Sequence, residues 1–131
     1  MKQPMNESMT DKKKVVFVVN PKSGSHGKKA ILKWIEERID RSVFDHTIVN
    51  TQYAGHATQL AATAAKESVD VVVAVGGDGT VNEIARSLRH TDTALAIIPC
   101  GSGNGLARHL HIPMDAKGAI DVINQNYRVC I

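Results

Sequence analysis

The stretch Gly76-Gly77-Asp78-Gly79-Thr80 sets one carboxylate among three glycines, directly after the apolar run Val71-Val72-Val73-Ala74-Val75. Glycines permit a tight turn and let a ligand approach the main chain closely. If a helix follows, its first N–H groups attract an anion, and a phosphate fits. Asp78 then looks out of place, because a carboxylate repels phosphate unless a cation or a transferable proton lies between them. Phosphoryl transfer reconciles the two, since it needs backbone donors to hold phosphate and a carboxylate to handle Mg²⁺ or the acceptor hydroxyl's proton. Asp78 suits either job, and the residues leave both open. Glu83 is the next carboxylate along, and it reads equally as a charge that supports its helix.

Two further stretches have the same character. Asn20-Pro21-Lys22-Ser23-Gly24 follows one apolar run, and Pro99-Cys100-Gly101-Ser102-Gly103-Asn104-Gly105 follows another. Several familiar motifs are excluded. A Walker A loop needs glycine where Lys22 stands and Ser or Thr where Lys29 stands, and Leu106 interrupts any GxGxxG. The segment from Cys100 to Asn104 lacks the GxSxG of a nucleophile elbow. His109 and His111 lie two apart, the wrong spacing for one helix face, and His26, His46, His56 and His90 are scattered, so no metal-ligand set is assigned.

The elements that must position these residues follow from hydrophobic periodicity. Val15 to Val19 is wholly apolar, as a central strand is, and stops at Asn20-Pro21. Lys28 to Asp40 carries Ile31, Leu32, Trp34, Ile35 and Ile39 at helical spacing. Val43 to Val49 reads as a second strand, and the alanine-rich segment Ala57 to Ser68 as a helix suited to close packing. Val71 to Val75 is a third strand. Val81, Ile84, Ala85 and Leu88 mark the buried face of the helix after the glycine turn, which runs to about His90. Thr93 to Ile98 is a fourth strand, followed by a short helix over Leu106 to Leu110. A helix over Asp115 to Gln125 turns Ala116, Ala119, Ile120 and Ile123 inward with Asp115 as N-cap, and Tyr127 to Ile131 reads as a last strand. Alternation at this spacing predicts a three-layer α-β-α domain with a mostly parallel sheet and glycine-rich loops at the strand carboxyl ends. Ligands gather beyond those ends, so a single crevice can serve Asn20, Thr51, Gly76 to Thr80 and Gly101 to Asn104.

Composition sets the bounds. A chain of 131 residues with 43% hydrophobic residues suits one domain, and its net charge of +3 is mild. Aromatics are only 4%, which leaves few stacking platforms for single-stranded nucleic acid. No apolar run approaches the roughly 20 residues of a membrane span, and residues 1–14 lack the apolar core of a secretory signal. The chain reads as cytoplasmic, with Cys100 and Cys130 reduced. Residues 1–14 read as a disordered tail.

With these residues placed, the chain resembles the catalytic domain of the diacylglycerol kinase family, which includes sphingosine kinases and bacterial lipid kinases. Four blocks carry the resemblance in order: Asn20-Pro21-Lys22-Ser23-Gly24; Thr51 with Gly55-His56-Ala57; Gly76-Gly77-Asp78-Gly79-Thr80-Val81-Asn82-Glu83; and Pro99-Cys100-Gly101-Ser102-Gly103-Asn104 with Leu106-Ala107-Arg108. The resemblance implies ATP as phosphate donor with Mg²⁺, a triphosphate held by Gly76 to Asn82, and nucleotide contacts from Asn20, Ser23, Thr51, Glu83 and the Gly101 to Asn104 turn, Ser102 included. It also implies that Asp78 is the nucleotide–metal or catalytic aspartate. Gly105 departs from the Asp that many bacterial relatives carry there, which leaves the acceptor lipid unassigned. Relatives continue into a second, β-rich domain that holds the lipid, so residues 15–131 are expected to form a nucleotide-binding lobe that is inactive without it. A longer protein would then touch the membrane peripherally, and an isolated lobe leaves room for a homodimer. NAD as acceptor, or a nucleotide-binding module without catalysis, are the alternatives.

Overall fold

The computed structural model describes residues 12–21, 28–99 and 116–125. Along the chain come β1 (Lys13–Val19), α1 (Lys28–Arg38), β2 (Phe44–Asn50), α2 (His56–Lys66), β3 (Val71–Gly76), α3 (Asp78–Leu88), β4 (Ala94–Pro99) and α4 (Ala116–Asn124). The expected final strand, the short helix over Leu106 to Leu110 and the Asp115 cap lie outside the described residues.

The four strands form one sheet in the order β2-β1-β3-β4, and every pairing is parallel. Parallel crossovers are right-handed in nearly all proteins. The chain steps one way from β1 to β2 and the other way from β2 through β3 to β4, so that handedness sends α1 to one face and α2 and α3 to the other. The packing agrees: α2 lies against α3, and α1 lies against α4. The three-layer architecture expected from the alternation is the one found.

Burial follows position in the sheet. All six residues of β3 and of β4 are buried, which is why both runs are apolar without alternation. At the edge, β2 is mixed: Phe44 is buried, whereas Asp45 and Thr47 are exposed. Its His46 faces α1 and hydrogen-bonds Glu36. The core is built from small and branched side chains, with Phe17, Ile35, Ile84, Leu95, Ile98 and Ile120 among its largest fully buried members. No described helix is long and apolar enough to cross a membrane.

Several boundaries differ from the periodicity, and two of them have a clear cause in the hydrogen bonding. Lys13 and Lys14 belong to β1 rather than to a tail. The Lys13 N–H donates to the Val43 carbonyl at 2.9 Å, the Lys14 N–H donates to Asp70 Oδ2 at 2.8 Å, and the Asp70 N–H returns to the Lys14 carbonyl at 3.0 Å. Backbone pairing therefore carries the strand past its apolar residues, and long lysine stems tolerate the half-exposed strand start. The second difference is α1, which stops at Arg38, two residues short of expectation. Asp40 takes over there: Oδ1 accepts the Ser42 N–H at 3.0 Å, and its carbonyl accepts the N–H groups of Val43 and Phe44. This Asx turn redirects the chain into β2. Asn124 of α4 closes the same corner, with Nδ2 donating to the Arg38 carbonyl at 2.8 Å and Oδ1 accepting the Asp40 N–H at 2.9 Å.

Helix α2 ends in a Schellman motif. The Val69 N–H donates to the Ala64 carbonyl at 3.0 Å and the Ser68 N–H to the Ala65 carbonyl at 3.1 Å, with Ser68 held at φ 61°. Glycine is the usual occupant of that left-handed position, because a Cβ there is strained. Ser68→Gly is therefore expected to stabilise the fold by about 1 kcal/mol, read as a higher urea midpoint at an unchanged slope.

Candidate functional site

The chain leaves β1 toward one edge of the sheet and leaves β3 toward the other, so the topological switch point lies between these two neighbours. In open parallel sheets the ligand crevice opens there, beyond the strand carboxyl ends. A crevice of about 260 Å³ does open there, lined among others by Asn20, Thr51, Tyr53, Gly55, Thr80 and Glu83. A larger hollow of about 480 Å³ lies on the same sheet face beside α2, lined by Lys14, Val16, Asp45, Thr47 and Glu67. It has neither Asn20 nor Thr80 in its lining, so the smaller crevice, which has both, is the candidate site.

The sheet itself positions the first two residues. One step past β1, the Asn20 N–H continues the ladder to the Val75 carbonyl at 3.3 Å, and one step past β2 the Thr51 N–H bonds the Val19 carbonyl at 2.8 Å. Asn20 Nδ2 then donates to Thr80 Oγ1 at 3.3 Å, across from β1 to α3. Thr80 is a buried polar residue, so this bond satisfies a hydroxyl that would otherwise be costly to cover. Glu83 stands three residues further along α3, on the same helix face. Its Oε1 accepts the Thr58 hydroxyl at 3.4 Å, which ties α3 to α2.

The turn after β3 is shorter than the glycines suggest. Helix α3 starts at Asp78, with Gly77 as N-cap in an extended conformation, φ −91° and ψ −166°. Among the described glycines only Gly55 has positive φ, at 87°. The bend at Gly76-Gly77 thus needs no left-handed backbone. Gly79 and Thr80 belong to the first helical turn rather than to a loop. Asp78, Gly79 and Asn82 are exposed, while Val81 is in the core and its N–H donates to the Gly77 carbonyl at 3.1 Å. Asp78 also has a role within the chain alone, since a carboxylate in the first turn complements the helix dipole. The apparent conflict that drew attention to it arises only when an anion is present.

The structure brings Asn20, Thr51, Thr80 and Glu83 to one crevice; of the Gly76 to Thr80 turn only Thr80 lines it, and Gly76, Gly77, Asp78 and Gly79 precede it along β3 and α3. Ser23, Gly101, Ser102, Gly103 and Asn104 lie outside the described residues; Pro99, the last described residue before the second glycine turn, pairs with Gly76. Among the described residues no group of three or more His, Cys, Asp or Glu is placed to hold a metal ion.

Tyr53 and His56 were not read as site residues. Their rings stack at 4.4 Å with an interplanar angle of 13°, His56 Nδ1 accepts the Gln52 N–H at 3.0 Å, and the Tyr53 hydroxyl donates to Gln59 Oε1 at 2.7 Å. The one available signal was position, an aromatic residue between a strand end and a glycine that opens a helix.

An open parallel α/β domain with its crevice at the switch point belongs to the class of domains that present ligand sites beyond the strand carboxyl ends. Residues 14–130 match the diacylglycerol kinase catalytic domain, and the chain belongs to that family. It is 34% identical over 118 residues to a diacylglycerol kinase of Staphylococcus saprophyticus, covering 88% of this chain and 39% of that protein. It is 36% identical over 109 residues to one of Staphylococcus haemolyticus, covering 82% and 33%. A crystal structure of a diacylglycerol kinase from Bacillus anthracis strain Sterne superposes with a TM-score of 0.76 at 32% identity, covering 88% of this chain and 43% of that one. The chain thus spans less than half the length of these relatives.

The bond between Asn20 and Thr80 is expected to couple the loop after β1 to α3. In a double-mutant cycle of Asn20→Ala and Thr80→Val, urea unfolding should give a coupling energy of about 1 kcal/mol.

Proposed function

We propose that this chain is the ATP-binding lobe of a lipid kinase, in which nucleotide phosphates rest on the first turn of α3 and the γ-phosphoryl group passes to a lipid hydroxyl held by a second domain. Family membership supports kinase chemistry, and the relatives described above are named for diacylglycerol, which favours a lipid acceptor over NAD.

The observation that carries the phosphate site is Gly79. It sits in a helix at an ordinary φ, and a Cβ built there would meet nothing within 4 Å. The fold alone has no steric need for glycine at this position, and glycine in a helix is less stable than alanine by roughly 0.5–1 kcal/mol. A bare main chain at a helix start is what a bulky polyanion needs, because the first N–H groups have no acceptor within the helix. Thr80 and Asn20 stand beside this turn as neutral hydrogen-bonding groups, and Thr51 faces them across the crevice. Ser23 and Gly101 to Asn104 belong to the same reading.

The donor set decides how Mg²⁺ fits. Mg²⁺ binds through one or two carboxylates together with substrate phosphates and water, rather than in an all-protein cage. Asp78 offers one such carboxylate at the start of α3. Bound there, the ion supplies charge neutralisation between Asp78 and the phosphates. Asp78 at the helix start also suits acceptance of the proton from the attacking hydroxyl. In this reading the chain alone binds nucleotide and turns over little, since the acceptor is held elsewhere.

Calorimetric titration with Mg-ATP tests the proposal. Gly79→Ala is expected to fold with unchanged or higher stability, by up to about 1 kcal/mol, and to bind Mg-ATP about tenfold more weakly, the loss of one charge-assisted hydrogen bond. Equal affinity in the two proteins, or no binding by the native chain, would overturn the phosphate site. Chelation of Mg²⁺ with EDTA is expected to weaken ATP binding in the native chain and to matter much less in Asp78→Asn, where the repulsion is gone.

A further inference from the structure

Tyr53 is the exposed large hydrophobic side chain among the described residues, with 53% of its surface open. Isolated exposed apolar side chains are ordinary, but this one is held in place. His56 covers one ring face, Gln59 takes the hydroxyl, and the His56 N–H donates to the Tyr53 carbonyl at 3.1 Å. His56 is itself fixed by the Gln52 N–H. In that bond Nδ1 is the acceptor, which sets the orientation of the ring behind Tyr53. With His56 against one face, the opposite face is the one left to meet a ligand. A held, half-exposed aromatic residue thus lines the crevice, two residues beyond Thr51.

Size makes the ring informative. The described residues enclose about 260 Å³, short of the roughly 300–1,000 Å³ that encloses a whole drug-sized ligand. With the phosphates at the start of α3, a base that reaches into the crevice meets Tyr53 among its lining residues. We infer that the open face of Tyr53 is the stacking platform for that base, with His56 as the positioning residue that holds the platform flat. The inference rests on the nucleotide reading above and adds to it the recognition of the base. Every nucleobase has a π face, and purines offer the larger one, so the platform favours purine over pyrimidine nucleotides without reading hydrogen-bonding edges. Because the ring is already ordered, little side-chain freedom is lost on binding.

Parallel titrations with Mg-ATP and with Mg-tripolyphosphate, which has no base, separate the two ideas. Tyr53→Ala is expected to weaken ATP binding about tenfold, within the range of base–aromatic stacking, and to leave tripolyphosphate affinity unchanged. Tyr53→Phe should keep most of the ATP affinity, and His56→Ala should lose part of it for ATP alone. ATP affinity in Tyr53→Ala equal to the native value, or an equal loss for both ligands, would overturn the platform while leaving the phosphate site standing. Failure of the native chain to bind tripolyphosphate would instead bring down the underlying nucleotide reading. Thermal unfolding of each variant shows that a loss is not one of folding, since Tyr53 lies outside the core.

Discussion

Parallel pairing between β1 and β3 is the constraint on which the rest depends. Val15 to Val19 lies in register with Val71 to Val75, and neither neighbour can shift by one residue without sending its buried side chains to the wrong layer. Because the chain departs in opposite directions from these two strands, right-handed crossovers must put α1 and α2 on opposite faces. Among the described residues no helix then covers the carboxyl ends of β1 and β3 directly. The crevice is a geometric result of strand order, and Asn20, just past the end of β1, lines it for the same reason.

The energetics of the rim differ from those of the sheet. β3 and β4 contribute by burial, with every residue covered, whereas the start of α3 keeps an exposed carboxylate and an exposed glycine in its first turn. Asp78 is tolerated there by the helix dipole, and Thr80 is tolerated in a nearly buried place because Asn20 supplies a partner. A stable sheet thus carries a margin whose residues are chosen less for stability than for what they leave accessible. Such a division is common where a rigid scaffold presents a site on its connections.

The sheet was legible because its signals were one-dimensional. Uninterrupted valine and isoleucine runs mark strands covered on both faces, and the intervening helical spacing of Ile31, Ile35, Ile84 and Leu88 marks the layers that cover them. The beginning of α3 was less legible. Glycine and aspartate favour turns, so the residues before Val81 read as a loop, yet the strand end and the dipole allow the helix to begin three residues earlier. Lys13 and Lys14 were read as tail for a similar reason: their strand character comes from backbone partners at Val43 and Asp70, which local composition does not encode. The stack of Tyr53 on His56 was invisible for yet another reason, since it depends on how the Gln52 amide and the Gly55 backbone turn the chain, and no periodic pattern records that.

The corner where Asn124 clasps the end of α1 carries a consequence for the order of assembly. Its hydrogen bonds join residues 84 and 86 positions apart in the chain, so they close only after everything between has been made. Until α4 emerges during synthesis, the buried face of α1 has only the sheet to rest on, and Ile120 and Ile123 are not there to cover it. Contacts of such long sequence separation form late. The β1-α1-β2 half therefore passes through an interval with part of its apolar surface bare, the period in which a nascent chain is most open to chaperones and to wrong partners.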